Sequence, residues 1–264
     1  MRRPLLLVAV TTLVCTGCST ADTESDAKPA KSSSAQQRSV VRAAVATVRR
    51  DTARIVEKIE IVGDGSTYKL AVTGGFDFAG DRGRIAVDFP EGGISHGEEV
   101  FAGGKIYINS VHGITKGKWG VMPRDEAEAH YALRAPLNDP EHVLKQLSAM
   151  REVSREGEES VHGVRTVHYR GMLDHDALTL RMAQDMRKKM DQARAMVGSD
   201  LPAFADAWVD GKGALAQARI RLDLSSGSVT VTLVLTDFGK PVRVKVPKAE
   251  ETVPVTSATG VLNG

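Results

Sequence analysis

The stretch GALAQARIRLDLSSGSVTVTLVLT, residues 213–236, decides the fold. Ala214, Ala216, Ala218, Ile220, Leu222 and Leu224 alternate with Leu215, Gln217, Arg219, Arg221 and Asp223. A period of two turns one face of a strand toward a dry interior and the other toward water. Val229, Val231, Leu233 and Leu235 alternate in the same way with Ser228, Thr230, Thr232 and Thr236. Asp210-Gly211-Lys212-Gly213 before the first run and Ser225-Ser226-Gly227 between the two provide the positive-φ chemistry of tight hairpins. From Ala203 to Val246 the chain therefore reads as an antiparallel meander with one apolar side, and something must cover that side.

Upstream, the same pattern repeats. Ile55, Ile59 and Ile61 alternate around Lys58 and Glu60, Tyr68, Leu70 and Val72 around Lys69, Ile85, Val87 and Phe89 around Arg84 and Asp88, and Ile106 and Ile108 flank Tyr107. Gly63-Asp64-Gly65, Gly80-Asp81-Arg82-Gly83, Pro90-Glu91-Gly92-Gly93 and Gly103-Gly104 separate these runs at meander or barrel spacing. Trp119 and Val121 suggest one more strand, and Val161 to Met172 another. Three segments have helical period instead. Val41, Ala44, Val45 and Val48 share a face within Val40 to Arg54. Asp139 as N-cap and Pro140 at the first position open a short helix carrying Val143, Leu144, Leu147 and Met150. Leu178, Met182, Met186 and Met190 recur every fourth residue from about Asp176 to Val197. Helices over one face of an antiparallel sheet make an α+β layer arrangement.

The N-terminus carries a targeting signal. Met1-Arg2-Arg3 precedes the apolar run Leu5 to Val14, which is too short to span a bilayer, and Cys15-Thr16-Gly17-Cys18 follows. Small residues before a cysteine resemble a bacterial lipobox, with Cys15 where Leu is usual. The expected division is a signal peptide over 1–17, acylated Cys18 with a disordered polar tether over 18–39, one β-rich domain over 40–250 and a C-terminal tail over 251–264. A tether of that composition reaches about 25 Å, enough to hold a domain just off the membrane. Of the two cysteines one leaves with the signal and the other is acylated, so the mature chain has no disulfide and no thiolate chemistry. Losing Arg2 and Arg3 leaves 33 residues of each sign, which argues against nucleic acid as a partner.

The order of several motifs is informative. Asp139-Pro140 with its helix is followed by Gly163-Val164-Arg165-Thr166-Val167-His168-Tyr169-Arg170-Gly171. Trp208-Val209-Asp210 with a glycine turn and Asp237-Phe238-Gly239-Lys240-Pro241-Val242 come next. Behind a lipobox, this order resembles the actinobacterial LppX/LprG-type lipoproteins, which are in turn similar to LolA-like carriers. The resemblance spans roughly Val40 to Pro247. It implies a strongly curved antiparallel β half-barrel with helices over its concave face, and acyl chains of lipids or glycolipids held in between. It also implies anchorage at the extracytoplasmic face of the cell membrane through diacylglycerol on Cys18, and an envelope transport protein as a partner.

An open half-barrel leaves its interior unsealed, and acyl chains could occupy it at about 0.8 kcal/mol per buried methylene. The residues expected to face such a cavity are Ile59, Ile61, Leu70, Val72, Ile85, Val87, Ile106 and Ile108 on the first strands. Leu178, Met182, Met186 and Met190 join them from the helix, and Ala218, Ile220, Leu222, Val229, Val231 and Leu233 from the second meander. The methionine stripe reads either as a compliant lid or as a helix packed permanently on the sheet. Trp208, between Asp206 and Asp210, is expected on the outer face or rim.

Other motifs do not carry chemistry. Gly93-Ile94-Ser95-His96-Gly97 matches the hydrolase nucleophile elbow but lacks a preceding strand and following helix. Asp237-Phe238-Gly239 stands without the other kinase motifs and reads as a strand end turning toward Pro241. His162, His168, Asp174, His175 and Asp176 lack the close pairs of zinc sites. Asp64, Asp81 and Asp210 have backbone roles in turns. The expectation is therefore no catalytic residue, no metal and no cofactor. Three classes stay open: a tethered lipid carrier, a non-catalytic envelope interaction or regulatory lipoprotein of the same fold without lipid cargo, and an enzyme, for which no activated group can be assembled.

Overall fold

A computed structural model of the chain describes residues 32–63, 65–88, 96–109, 114–127, 139–182, 184–225 and 227–255. The signal, Cys18 and the tether to residue 31, Asp64, Phe89 and the turn after it, Gly93-Ile94-Ser95, Ser226 and the last nine residues lie outside them.

The first helix, α1 (Ser34–Val48), starts six residues before the expected boundary at Val40, so the segment from Ser34 to Ser39 is helix rather than tether. Its start is a capping box: Ser33 Oγ accepts from Gln36 N at 3.3 Å, and Gln36 Oε1 accepts from Ser33 N at 2.8 Å. The apolar stripe of Val41, Ala44, Val45 and Val48 is buried and continues back through Gln37. The chain then turns into β1 (Thr52–Gly63), so Thr52 to Arg54 are strand where the reading from sequence extended the helix.

One meander follows: β2 (Ser66–Asp77), β3 (Arg82–Asp88), β4 (His96–Ala102), β5 (Lys105–Ile108) and β6 (Trp119–Pro123). Gly103 and Gly104 both take positive φ, the pairing a two-residue turn between β4 and β5 requires. After α2 (Pro140–Ser148) comes the second meander of β7 (Arg151–Val161), β8 (Val164–Met172), β9 (Ala203–Asp210), β10 (Leu215–Leu224) and β11 (Gly227–Thr236). It is interrupted after β8 by α3 (His175–Leu178) and α4 (Gln184–Val197). β1 pairs antiparallel with both β2 and β11, which joins the two meanders into one open sheet. The order is β12-β6-β5-β4-β3-β2-β1-β11-β10-β9-β8-β7, where β12 is Thr252–Pro254. The architecture is α+β, as expected.

Four further features depart from the expectation. The tail over 251–264 is not all tail, because β12 pairs parallel with β6 through Thr252 to Pro254. β7 is a full strand whose REVSREGEES run is charged along both faces; it forms a sheet edge, where charge discourages pairing with another chain. The helix expected from Asp176 to Val197 is two helices, broken where Arg181 adopts φ 54. The even-numbered alternation of β10 fails at its start: a bulge between Leu215 and Gln217 puts Leu215 inside, while Ala216 is only partly buried.

Helices α1 and α2 lie on the inner face at the β7–β10 end of the sheet. Arg42 Nε donates to Ser148 O at 2.9 Å, and Arg49 Nε lies 3.2 Å from Glu141 Oε2, so α2 is tied at both its ends to the second half of α1 and its C-cap. Gln146 Nε2 donates to Ala177 O at 3.1 Å, which fixes α3 against α2.

Candidate functional site

Strand pairing brings the sequence-predicted inner residues onto one surface. Ile59 lies opposite Leu70 on one side and Val231 on the other, and Val231 in turn faces Ile220. Leu233 faces Ala218, Val229 faces Leu222, and Val72 faces Val87. Ile85, Ile106 and Ile108 continue the surface toward β6, while Leu178, Met182 and Met190 meet it from α3, the segment after it and α4. These residues are buried in one continuous cluster; Ile61, Met186 and Val229 are only partly buried and pack against it. The same cluster takes in residues the alternation did not single out: Phe76 and Phe101, Met122, and Ala203, Ala205, Ala207 and Val209 along β9.

Two members of this wall are not apolar. Glu57 shares the parity of Ile55 and Ile59 and stands opposite Val72 on one side and Leu233 on the other. It is 3% exposed, and its Oε2 has no hydrogen-bond partner. Burial, then the nearby Asp139 charge, push its pKa up to about 8. Alternation places Glu57 inside, between Ile55 and Ile59, although its charge argues for the outer face. Glu99, opposite Ile85 and Ile108, is a second carboxyl buried on this face.

At the β6 end a charged node closes the wall. Arg124 Nε and Nη2 donate to Asp139 at 2.9 and 2.7 Å, and Arg181 Nη1 donates to the same carboxylate at 3.0 Å. Arg124 also pairs with Asp81, and its guanidinium lies 5.2 Å from the Phe76 ring and 4.9 Å from that of Phe101. Arg181 bonds the carbonyls of Arg124 and Ala127 at 2.7 and 2.8 Å, and these contacts account for the helix break. Burial alone would raise the Asp139 carboxyl, but hydrogen bonds and charge from Arg124, then Arg181, hold it below the usual carboxylate range. His142, one turn along α2, is pushed down to about 4 by burial, then by the Arg181 charge. A groove of about 520 Å³ runs past Asp81, Arg124, Asp139, Glu141, Lys145 and Arg181. A second, of about 410 Å³, lies over the outer side of β1 to β3, bordered by Arg54, Thr73, Arg84, Glu98, Pro241 and Arg243. Neither groove is lined by the methionines of α4.

The rejected motifs are dispersed. His168 is on the outer face, stacked on Trp208 with ring centroids 4.5 Å apart, its Nε2 2.7 Å from Asp206 Oδ1. Trp208 is thus an outer-face residue as expected, with Arg219 over its ring and Nε1 donating to Glu159 at 2.5 Å. His162 contacts Gln217, His175 contacts Asp191, and Asp174 caps α3. Asp237 to Gly239 form a turn in which Lys240 Nζ reaches Asp237 at 2.6 Å. Among the described residues no group of three or more His, Cys, Asp or Glu is arranged to hold a metal ion.

Comparison with known proteins gives one family: the model of the LppX_LprAFG lipoprotein matches residues 100–244. An uncharacterized 31.2 kDa protein of Streptomyces griseus, encoded in the rplA-rplJ intergenic region, is 30% identical over 117 residues. That match takes in 43% of this chain and only 38% of the relative. Among solved structures, lipoprotein LppX of Mycobacterium tuberculosis is similar at 14% identity and TM-score 0.49, over 81% of this chain and all of that one. LprF of Mycobacterium bovis is similar at 13% identity and TM-score 0.48, over 82% of this chain and 99% of that one.

Proposed function

The chain belongs to the LppX_LprAFG lipoprotein family, and from that premise we propose that it holds the acyl chains of a lipid or glycolipid against the inner face of its sheet. In this reading it is anchored by diacylglycerol on Cys18 at the extracytoplasmic face of the cell membrane. It carries or presents its cargo across the envelope, receiving or passing it on through an envelope transport protein, and performs no catalysis.

One observation carries the proposal: the inner face of β1 to β5 and β8 to β11 is a continuous, largely apolar wall, on which α1 and α2 lie toward the β7–β10 end. Each methylene laid on such a wall contributes about 0.8 kcal/mol, so two or three chains outweigh the cost of ordering them. In this reading a polar headgroup emerges toward the charged node at the β6 end, where Lys145, Arg181 and Arg124 border a groove.

The second reading, an envelope interaction module without lipid cargo, is favoured by how deeply the same wall is buried by the chain itself. Purification decides between them. Mature protein lacking Cys18, produced in a lipid-rich related host and extracted with organic solvent, is expected to release lipid in near-stoichiometric amount by mass spectrometry. A lipid-free extract from folded protein contradicts the carrier reading.

A further inference from the structure

Glu57 is a member of the apolar wall whose buried Oε2 has no hydrogen-bond partner among the described residues. Ile55 and Ile59 precede and follow it on the same face, and Val72 and Leu233 flank it across the two pairings. The arginines of the neighbouring charged node are committed elsewhere, Arg124 to Asp139 and Asp81, and Arg181 to Asp139 and two backbone carbonyls. Asp139, whose charge reaches Glu57, has the wrong sign to relieve it. Native proteins partner buried polar atoms almost without exception, because an unmet one costs as much as a lost hydrogen bond. A leucine would serve a purely hydrocarbon site better.

We propose that Glu57 is the polar anchor of the lipid site, its uncharged carboxyl donating a hydrogen bond to the ester carbonyl of a neutral lipid whose chains lie along β1, β2 and β11. The inference deepens the reading of the wall as an acyl-chain site and rests on it. A neutral carboxyl offers one O–H donor, and an ester carbonyl is an acceptor with no proton of its own. The raised pKa is consistent with this, since the carboxyl stays protonated at neutral pH. A cationic headgroup would need the carboxylate form instead. The ligand class that fits is therefore an uncharged ester, with the ester placed at the middle of the wall rather than at its rim.

The test uses the whole mature chain from Ser19 as wild type, Glu57→Gln and Glu57→Leu. Displacement of anilinonaphthalene sulfonate is followed with methyl dodecanoate and with tridecane, which differ only in the ester. Wild type and Glu57→Gln, which both present a donor, are expected to prefer the ester several-fold. Glu57→Leu is expected to lose that preference by about three- to tenfold, the worth of one hydrogen bond, while binding tridecane at least as well. Should Glu57→Leu fail to fold, Glu57→Met serves as the apolar variant, and the infrared carboxyl stretch of wild type must shift on adding the ester. Undiminished ester preference in the apolar variant overturns the anchor and leaves the acyl-chain site standing. Failure of both probes to displace the dye from folded wild type overturns the site and the anchor together.

Discussion

Arg124 grips Asp139 with two hydrogen bonds, at 2.9 and 2.7 Å, and the Asp139 side chain has no exposed surface. Asp139 is also the N-cap of α2, accepting from Glu141 N at 3.0 Å. One carboxylate thus fastens the helix start to the residue that follows β6, and through Arg181 to the break between α3 and α4. Position of the roof over the wall depends on this node.

Arg124→Met leaves Asp139 buried with a single cation. Breaking a buried, hydrogen-bonded pair typically costs about 3–5 kcal/mol, and urea unfolding at neutral pH is expected to show a loss of that order. A change below about 1 kcal/mol, the range of surface pairs, would mean that the node does not hold the roof.

Glu57 makes stability depend on pH in an uncommon direction for a carboxyl. Its folded pKa of about 8 lies above the ordinary value of 4.5, so the folded state keeps a proton that the unfolded state has lost. The contribution is complete below 4.5 and is lost as pH rises toward 8, at most about 5 kcal/mol in total. His142, at about 4 against 6.5, works oppositely, with its contribution present above 6.5 and lost as pH falls toward 4. The difference between Glu57→Gln and wild type isolates the first effect. Denaturant midpoints from pH 5 to 8 are expected to show the variant gaining steadily on wild type, and a flat difference would contradict the assignment.

Gly74 and Gly97 separate a required glycine from a tolerated one. A Cβ on Gly74 would lie 2.2 Å from the Arg84 carbonyl oxygen and 2.7 Å from Ile85 Cα, both backbone, whereas one on Gly97 meets nothing nearer than 3.5 Å. Gly74→Ala must therefore part β2 from β3, with an expected loss of at least about 1–3 kcal/mol. Gly97→Ala is expected within about 0.5 kcal/mol of wild type. Equal effects would show that the two strands are not so closely approached.

The bulge in β10 has a similar signature. Leu215 is fully buried, so Leu215→Ala is expected to cost about 2–5 kcal/mol. Ala216→Ser, at a partly exposed position, is expected to be nearly neutral. Unbroken alternation requires the reverse order, which thermal unfolding of the two variants would reveal.

What was legible in the sequence was local. Alternation from Ala218 to Leu235 carries its own face assignment, and Asp139-Pro140 announces a helix start because capping needs only neighbours along the chain. The misreadings came where tertiary contacts overrule a local pattern. The fourfold spacing of Leu178, Met182, Met186 and Met190 runs straight through Arg181, whose backbone is turned by bonds to Asp139, Arg124 and Ala127 that no spacing records. A bulge shifts parity by one residue with no compositional mark, so alternation points Ala214 and Ala216 inward where the fold buries Leu215. β7 escaped notice because an edge strand has charge on both faces. Arg124 and Arg181 were unremarkable as sequence, and only folding brings them to Asp139.

The central claim is that acyl chains lie on the inner wall, and photolabelling tests it most directly. The folded mature protein is irradiated with a diacylglycerol bearing a diazirine near the end of one acyl chain, digested and sequenced by mass spectrometry. Adducts are predicted on inner-face residues such as Val72, Ile220, Val231 and Met190, competed away by unlabelled lipid. Adducts confined to the outer face around Trp208 and Phe204, or none above those on a protein that binds no lipid, would contradict the account.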